Sequence, residues 1–291
     1  MNKTIIFVSV CMITYNHEKF ISEAIEGVLM QKTDFPIELI IGEDCSTDKT
    51  REICIEYQRK YPNIIKLLLS EQNKGSIRNF IETMQAAQGK YIALCEGDDY
   101  WTDSYKLQKQ VDFLEKNEGF VGCFHNSEER YYNNYQKSST LYLNFSSDRT
   151  VTINDLTQAN IVPTASVVFK NNLPKELFSD YFKELPVGDW PLHLLLLRSG
   201  NYYYIPQVMS VRNLNPESIW GMRDHIRNTQ LVLKTYEKLF NSCWFSNDIN
   251  EKLLHRKIFL DKQLAIEKEV DIFFRFKSYI KHFLLKIASK I

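Results

Sequence analysis

Glu96, Gly97, Asp98 and Asp99 put three carboxylates within four positions, just after the apolar run Tyr91–Leu94 and ahead of a segment patterned as a helix. Acids this close repel one another unless a cation or a set of donors holds them. The dipole at a helix start favours negative charge, and one aspartate suffices as a cap there, which leaves the others without a partner. Hard divalent cations such as Mg2+ or Mn2+ prefer one or two carboxylates together with the phosphates of a substrate. A metal-bound diphosphate is the natural tenant of this corner, with a purely structural cap as the alternative.

Such a corner needs strands that end beside it. The first 125 residues alternate short apolar runs with helix-periodic stretches, the signature of a parallel sheet wound with helices. Strands are expected over 5–13, 37–41, 64–69 and 91–95. Phe20, Ala24 and Val28 recur at helical spacing, and Ser46, Thr47 and Asp48 offer caps for a helix ending near Pro62. Gly89 is expected to close a third helix in the left-handed conformation, and Leu107, Val111 and Leu114 mark a fourth. Polar residues collect just past each apolar run, where ligands bind in open parallel sheets.

Residues 126–150 lose this periodicity and turn polar and tyrosine-rich, which predicts a loop excursion over the same face. Strand and helix patterns return at 164–169, at 189–200 (with Asp189 as cap and Gly200 past the end), and at 202–213. From about 222 onward the pattern is helical only.

The 36 basic and 36 acidic residues cancel, so no global field draws the chain to nucleic acid. The six cysteines form no CxxC pair and no zinc spacing, which predicts reduced thiols. Residues 5–13 are too short to span a bilayer and lack a cleavage site, so they predict a buried strand, and the expected location is cytoplasmic. In the tail, Ile272, Phe276, Tyr279, Ile280, Phe283 and Ile287 share a helical face, with Arg275, Lys277, Lys281, His282, Lys286 and Lys290 mostly elsewhere. That basic amphipathic pattern over 271–291 fits either a peripheral contact with the inner face of the plasma membrane or a helix docked on its own domain.

Four segments, VSVCMITYNHEKFISEAIEGVLMQ (8–31), ELIIGEDCSTDKT (38–50), NKGSIRNF (73–80) and GKYIALCEGDDYW (89–101), resemble in order and spacing the nucleotide-binding half of the family-2 glycosyltransferases. The resemblance covers 8–125 and continues in outline to about 221. It implies an α/β chain of the GT-A (Rossmann-like) fold, with a mostly parallel central sheet flanked by helices and a C-terminal helical appendage. The implied division is 1–221 for the transferase domain, with 1–125 as nucleotide-binding half and 126–221 as acceptor-binding half, and 222–291 for the helical region. The implied activity is inverting transfer from a nucleotide-diphosphate sugar, with UDP the expected nucleotide and Mn2+ or Mg2+ as cofactor. The acceptor would be a hydroxyl of a glycan or a lipid-linked molecule, as in bacterial cell-surface polysaccharide or glycolipid synthesis.

Carried over residue by residue, the resemblance implies that Thr14 and Tyr15 line the nucleotide pocket and that Asp44 hydrogen-bonds the base or ribose. Lys74 and Arg78 would lie beside base and phosphates, Asp98 would approach ribose or metal, and Asp99 would be the principal metal ligand. Glu43 and Glu96 stand where family members often carry aspartate. Asp189, preceded by Gly188, would take the proton from the acceptor hydroxyl, a helix cap being the alternative role. Arg212 would meet the leaving diphosphate, Asn213 and Asn215 stand where histidine is frequent, and Trp220 would stack on a sugar or fill core. Two other classes are weighed. A sugar nucleotidyltransferase needs a glycine-rich basic loop after its first strand, and 14–20 has neither feature. A non-catalytic binding protein on the same fold is expected to have lost the acidic pair.

Overall fold

The computed structural model describes residues 5–132, 137–214 and 225–288. Strand β1 (Val8–Thr14) lies between β2 (Ile37–Glu43) and β4 (Tyr91–Leu94), and β3 (Ile65–Leu69) pairs outside β2, all parallel. The runs are largely apolar because both faces of the inner strands β1, β2 and β4 are covered, while the edge strand β3 is only half-buried. Helices α1 (Ile21–Leu29), α2 (Thr50–Lys60) and α3 (Ser76–Gln85) follow β1, β2 and β3. The buried face of α1, Ile21, Ala24, Ile25 and Val28, enters the same core as Val8, Val10 and Met12 of β1. Ser9, polar in the middle of β1, is satisfied: its hydroxyl donates to Glu38 at 2.6 Å and accepts from the Gly89 N–H at 2.8 Å.

The second half of the sheet mixes directions, giving the order β3-β2-β1-β4-β9-β6-β10-β5. Here β9 (Val168–Lys170) runs antiparallel to both β4 and β6 (Phe120–Tyr132), β10 (Asn201–Leu214) is parallel to β6, and β5 (Tyr100–Trp101) is antiparallel to β10. Strand β7 (Lys137–Leu141) pairs with β6, and β8 (Arg149–Val151) with β10. The β6/β10 register slips between Ile205 and Val208, where Pro206 has no N–H to give the ladder. Around the sheet stand α4 (Lys106–Lys116), α5 (Ile153–Leu156), α6 (Asp180–Lys183) and α7 (Asp189–Leu196), with short 3-10 turns at Thr164–Ser166 and Lys175–Phe178.

Three local expectations are corrected. Residues 126–132 and 137–141 are not loop: β6 continues through 126–132 in its pairing with β10, and 137–141 form β7, antiparallel to β6, and the ladder hydrogen bonds compensate for a polar sequence. Gly89 is not left-handed, Gly75 being the described glycine with positive φ (87°). Its glycine is required by close approach, since a Cβ there would stand 2.6 Å from the Ser9 backbone N. The cap of α7 is Gly188, and Asp189 is the first helical residue.

The chain forms two compact units, Met1–Met222 and Arg223–Ile291. The second unit holds α8 (His225–Asn241) and the 42-residue α9 (Asn247–Ala288). Among the described residues no helix is long and apolar enough to cross a membrane. The side chains of 271–291, and Asn215 and Trp220, lie outside the described residues. All six cysteines are free.

Candidate active site

The loops at the carboxyl ends of β1, β2 and β3 are laced together by side-chain caps. After β1 the chain turns left-handed at Asn16 (φ 56°), whose amide oxygen accepts the Thr47 N–H at 2.8 Å while its own N–H reaches Ser46 Oγ at 3.0 Å. The Glu18 N–H donates to Asp48 at 3.0 Å and the Lys49 N–H donates to Glu18 at 3.1 Å. Glu43 is fully buried, ion-paired with Arg51, and accepts the Ser46 N–H at 2.6 Å. Its extra methylene relative to aspartate therefore serves to brace the loop from within.

Of the expected nucleotide-pocket residues, Thr14 is buried and Tyr15 exposed at the end of β1. Asp44 joins them, its N–H on the Thr14 carbonyl at 3.1 Å, while its two carboxylate oxygens accept the N–H groups of Lys74 and Gly75, each at 2.9 Å. The Lys74 ammonium is engaged with Glu82. Arg78 is exposed on α3, with its charge felt by Asp180 after that of Lys183, and no described hydrogen bond ties it to the acids.

The acid turn is clamped between β1 and β10. Gly97 N–H donates to the Ile13 carbonyl at 2.9 Å, and a Cβ on Gly97 would meet Thr14 Oγ1 at 2.7 Å, so only glycine lets the turn lie this close. Asp99, 4% exposed, accepts the Asn213 N–H on Oδ1 at 2.9 Å, and the Asn213 side-chain amide donates to the Asp98 carbonyl at 2.5 Å. Asp98 Oδ2 lies 3.8 Å from His17 Nε2, and His17 Nδ1 is 3.2 Å from Thr14 Oγ1. Asn213, where a histidine was the expected alternative, thus serves as the clamp.

The electrostatics are those of an under-neutralised cluster. Burial, then the Asp98 charge, then the Asp189 charge push the Glu96 carboxyl up to about 8. Burial, then Asp98 and Glu96, hold the Asp99 carboxyl well above the usual carboxylate range, with Arg212 opposing in both cases. Arg212 donates to Glu129 Oε1 at 2.9 Å and lies 5.5 Å from the centroid of the Tyr142 ring. Burial works against its charge, but Tyr142, Asp99, Glu129 and Glu96 around it outweigh that and raise its pKa further. Asp189 Oδ2 accepts from Asn160 Nδ2 at 2.8 Å and from Thr164 Oγ1 at 3.5 Å.

Asp98, Asp99, Glu96, Arg212 and Asp189 therefore share one electrostatic neighbourhood. The residues Glu129, Tyr142, Asn160, Thr164 and His17 were not singled out by sequence. For Glu129 the available signal was the alternation through His125, Ser127, Glu129 and Tyr131; for Asn160 and Thr164 there was none. Among the described residues no three His, Cys, Asp or Glu side chains already stand together as a ligand set. Asp99 Oδ2 carries no described hydrogen bond, and the mutual repulsion of these acids fits a hard cation that takes one or two carboxylates and completes its shell from substrate and water.

A family model described as "Glycosyl transferase family 2" matches residues 9–172, more than half of the chain. An uncharacterized protein of Mycobacterium tuberculosis is 36% identical over 212 residues, which is 73% of this chain and 60% of that protein, so the match spans less than two thirds of that relative's length. Among solved structures, S. aureus TarS 1-349 in complex with UDP-GlcNAc superposes with a TM-score of 0.64 at 18% identity, over 87% of this chain and 72% of that one. Mannosyltransferase PcManGT from Pyrobaculum calidifontis, in complex with GDP-Man and Mn2+, gives a TM-score of 0.62 at 17% identity, over 87% and 69%. At these identities the structures establish the fold, which is GT-A with a C-terminal helical region. By the extent of the family match, the chain belongs to glycosyl transferase family 2.

Proposed function

We propose that residues 1–221 transfer a glycosyl group from a nucleoside-diphosphate sugar to a hydroxyl, with inversion at the anomeric carbon. The observation that carries this reading is the approach of Asp189 to the acid turn: Asn160 and Thr164 meet its Oδ2 at 2.8 and 3.5 Å, and the Ala165 carbonyl beside Thr164 receives Trp101 Nε1, two residues past Asp99, so that in this reading a carboxylate stands across from the acids that would face a diphosphate. Donors of this class are also what the TarS and PcManGT complexes hold. UDP is the expected nucleotide, seated by Thr14, Tyr15, Asp44, Lys74 and Arg78 in the half formed by 1–125.

Breaking the bond from C1 to the diphosphate leaves negative charge on the phosphate and oxocarbenium character on the sugar, so groups aimed at the developing charge lower the barrier. Asp99, with Asp98, would hold a Mg2+ or Mn2+ ion, which when bound supplies charge neutralisation to the leaving diphosphate. Arg212, oriented by Glu129 and Tyr142, adds a fixed positive charge in the same neighbourhood. Asp189 takes the proton of the incoming hydroxyl, a contribution of about 10² to 10⁴-fold in rate. Because the base acts on the acceptor and forms no bond to C1, the acceptor enters opposite the leaving group. The acceptor-binding half is 126–221, and the acceptor a glycan or lipid-linked hydroxyl.

The test is a screen of UDP-, GDP- and TDP-sugars scored by release of the nucleoside diphosphate, with calorimetry of UDP and Mn2+ alongside. Asp189→Asn is expected to keep nucleotide affinity and lose turnover, and Asp99→Ala to lose metal-dependent affinity. Nucleotide binding indifferent to Asp99→Ala, or full turnover by Asp189→Asn, refutes the assignment.

A further inference from the structure

Resting on the reading of Asp189 as the base, we propose that Asn160 and Thr164 are positioning residues, set on a strap over 160–166 that fixes the direction in which Asp189 presents its carboxylate. Nothing in the sequence pattern of this segment marks it. Its geometry does.

The Asn160 amide cannot turn freely. Its Oδ1 accepts the Val162 N–H at 3.2 Å, which leaves the NH2 group facing Asp189 Oδ2 at 2.8 Å. The Asn160 carbonyl in turn receives the Tyr142 hydroxyl at 3.3 Å, beside the ring over which Arg212 lies. Thr164 meets the same Oδ2 at 3.5 Å. Both donors converge on one oxygen of Asp189, and Oδ1 carries no hydrogen bond among the described residues. A carboxylate held by one oxygen offers the other to an incoming hydroxyl in a single orientation.

The strap is itself anchored to the elements that carry the acid turn. Trp101 Nε1, two residues past Asp99, donates to the Ala165 carbonyl at 2.7 Å, and Gln110 Nε2 of α4 donates to the Ser166 carbonyl at 3.0 Å. Ser166 closes the 3-10 turn, with N–H and hydroxyl both on the Pro163 carbonyl at 2.9 and 2.6 Å. The Val167 carbonyl receives the Leu94 N–H at 3.3 Å, at the end of β4. The base is thereby referenced to the acid turn through hydrogen bonds rather than through its own short helix alone. A reacting group displaced by about 1 Å can cost about 10²-fold in rate, so such referencing matters to the chemistry.

The experiment compares the full chain with Asn160→Ala, Thr164→Val and Thr164→Ser. With the donor of the UDP-, GDP- and TDP-sugar panel that wild type hydrolyses or transfers fastest, Asn160→Ala is expected to lower kcat about 10- to 100-fold while donor KM stays within about twofold. Thr164→Val is expected to fall by a smaller factor and Thr164→Ser to recover most of it. A purely structural role predicts instead that kcat and KM worsen together, or that Ser and Val behave alike, and either result overturns the proposal. If wild type turns over no donor, the function proposed above fails, and the positioning role is decided by crystal structures of wild type and Asn160→Ala. An Asp189 carboxylate that swings to a new rotamer upholds it; one that stays in place overturns it.

Discussion

Replacing Lys106 by methionine is expected to stabilise the protein at and below neutral pH, and to do so less and less as the solution becomes alkaline. The Lys106 side chain is fully buried, its ammonium has no hydrogen-bond partner among the described residues, and its Nζ stands 3.9 Å from the centroid of the Trp101 ring. Burial pushes the amine down from 10.5 to about 7, against the opposing influence of the Cys95 and Cys123 thiols. At about 1.4 kcal/mol per tenfold change in proton affinity, that depression makes the buried ammonium cost about 5 kcal/mol relative to the unfolded chain. Methionine has a similar length and no charge and can keep the packing against Trp101, so the gain at pH 6 is of the order of that cost. The sign follows from linkage: between pH 7 and 10.5 the unfolded lysine holds its proton and the folded one does not. Wild-type stability therefore rises through that window, and the advantage of the variant vanishes above it. Urea unfolding followed by circular dichroism at pH 6, 8 and 10 measures this. A Lys106→Met protein less stable than wild type at pH 6, or an advantage that stays constant to pH 10, refutes the reasoning.

Glu96 gives the mirror case. Its carboxyl, raised from 4.5 to about 8, binds a proton more tightly folded than unfolded, so stability is lost as pH rises from 4.5 through 8. In EDTA, Glu96→Gln is expected to melt about 4–8 °C above wild type at pH 8.5, for a gain of about 2 kcal/mol, and at the same temperature as wild type near pH 4; scanning fluorimetry reads both. Arg51→Met leaves Glu43 fully buried without its cation and is expected to cost about 3 kcal/mol in chemical denaturation, with Glu43→Gln in the same chain recovering most of it. Gly89→Ala drives a methyl group to within 2.6 Å of the Ser9 backbone, and a loss of about 2–3 kcal/mol is expected; an unchanged unfolding midpoint would show that β1 and the 88–90 turn can separate cheaply.

Much of this molecule was written locally. The apolar runs at 5–13, 37–41, 64–69 and 91–95 became β1 to β4, because strands of a covered parallel sheet are rich in apolar residues and that enrichment shows within a few positions. The acid turn was legible for the same reason: crowded carboxylates are conspicuous wherever they stand. Residues 126–132 were misread because a strand extension whose side chains are largely polar owes its form to pairing partners far along the chain, with Glu129 opposite Arg212 across the ladder. What the sequence by itself determined was the parallel half of the sheet and the gathering of Thr14, Asp44, Asp98 and Asp99 at its carboxyl edge. Only the tertiary structure decided that Asn213 clamps Asp99, that Glu43 pairs with Arg51, and that Asn160 and Thr164 hydrogen-bond Asp189. Amphipathic patterning acts between near neighbours and leaves a periodic trace, whereas a hydrogen bond such as that from Asn213 to Asp99, spanning 114 residues, depends on how strands and turns come to rest against one another.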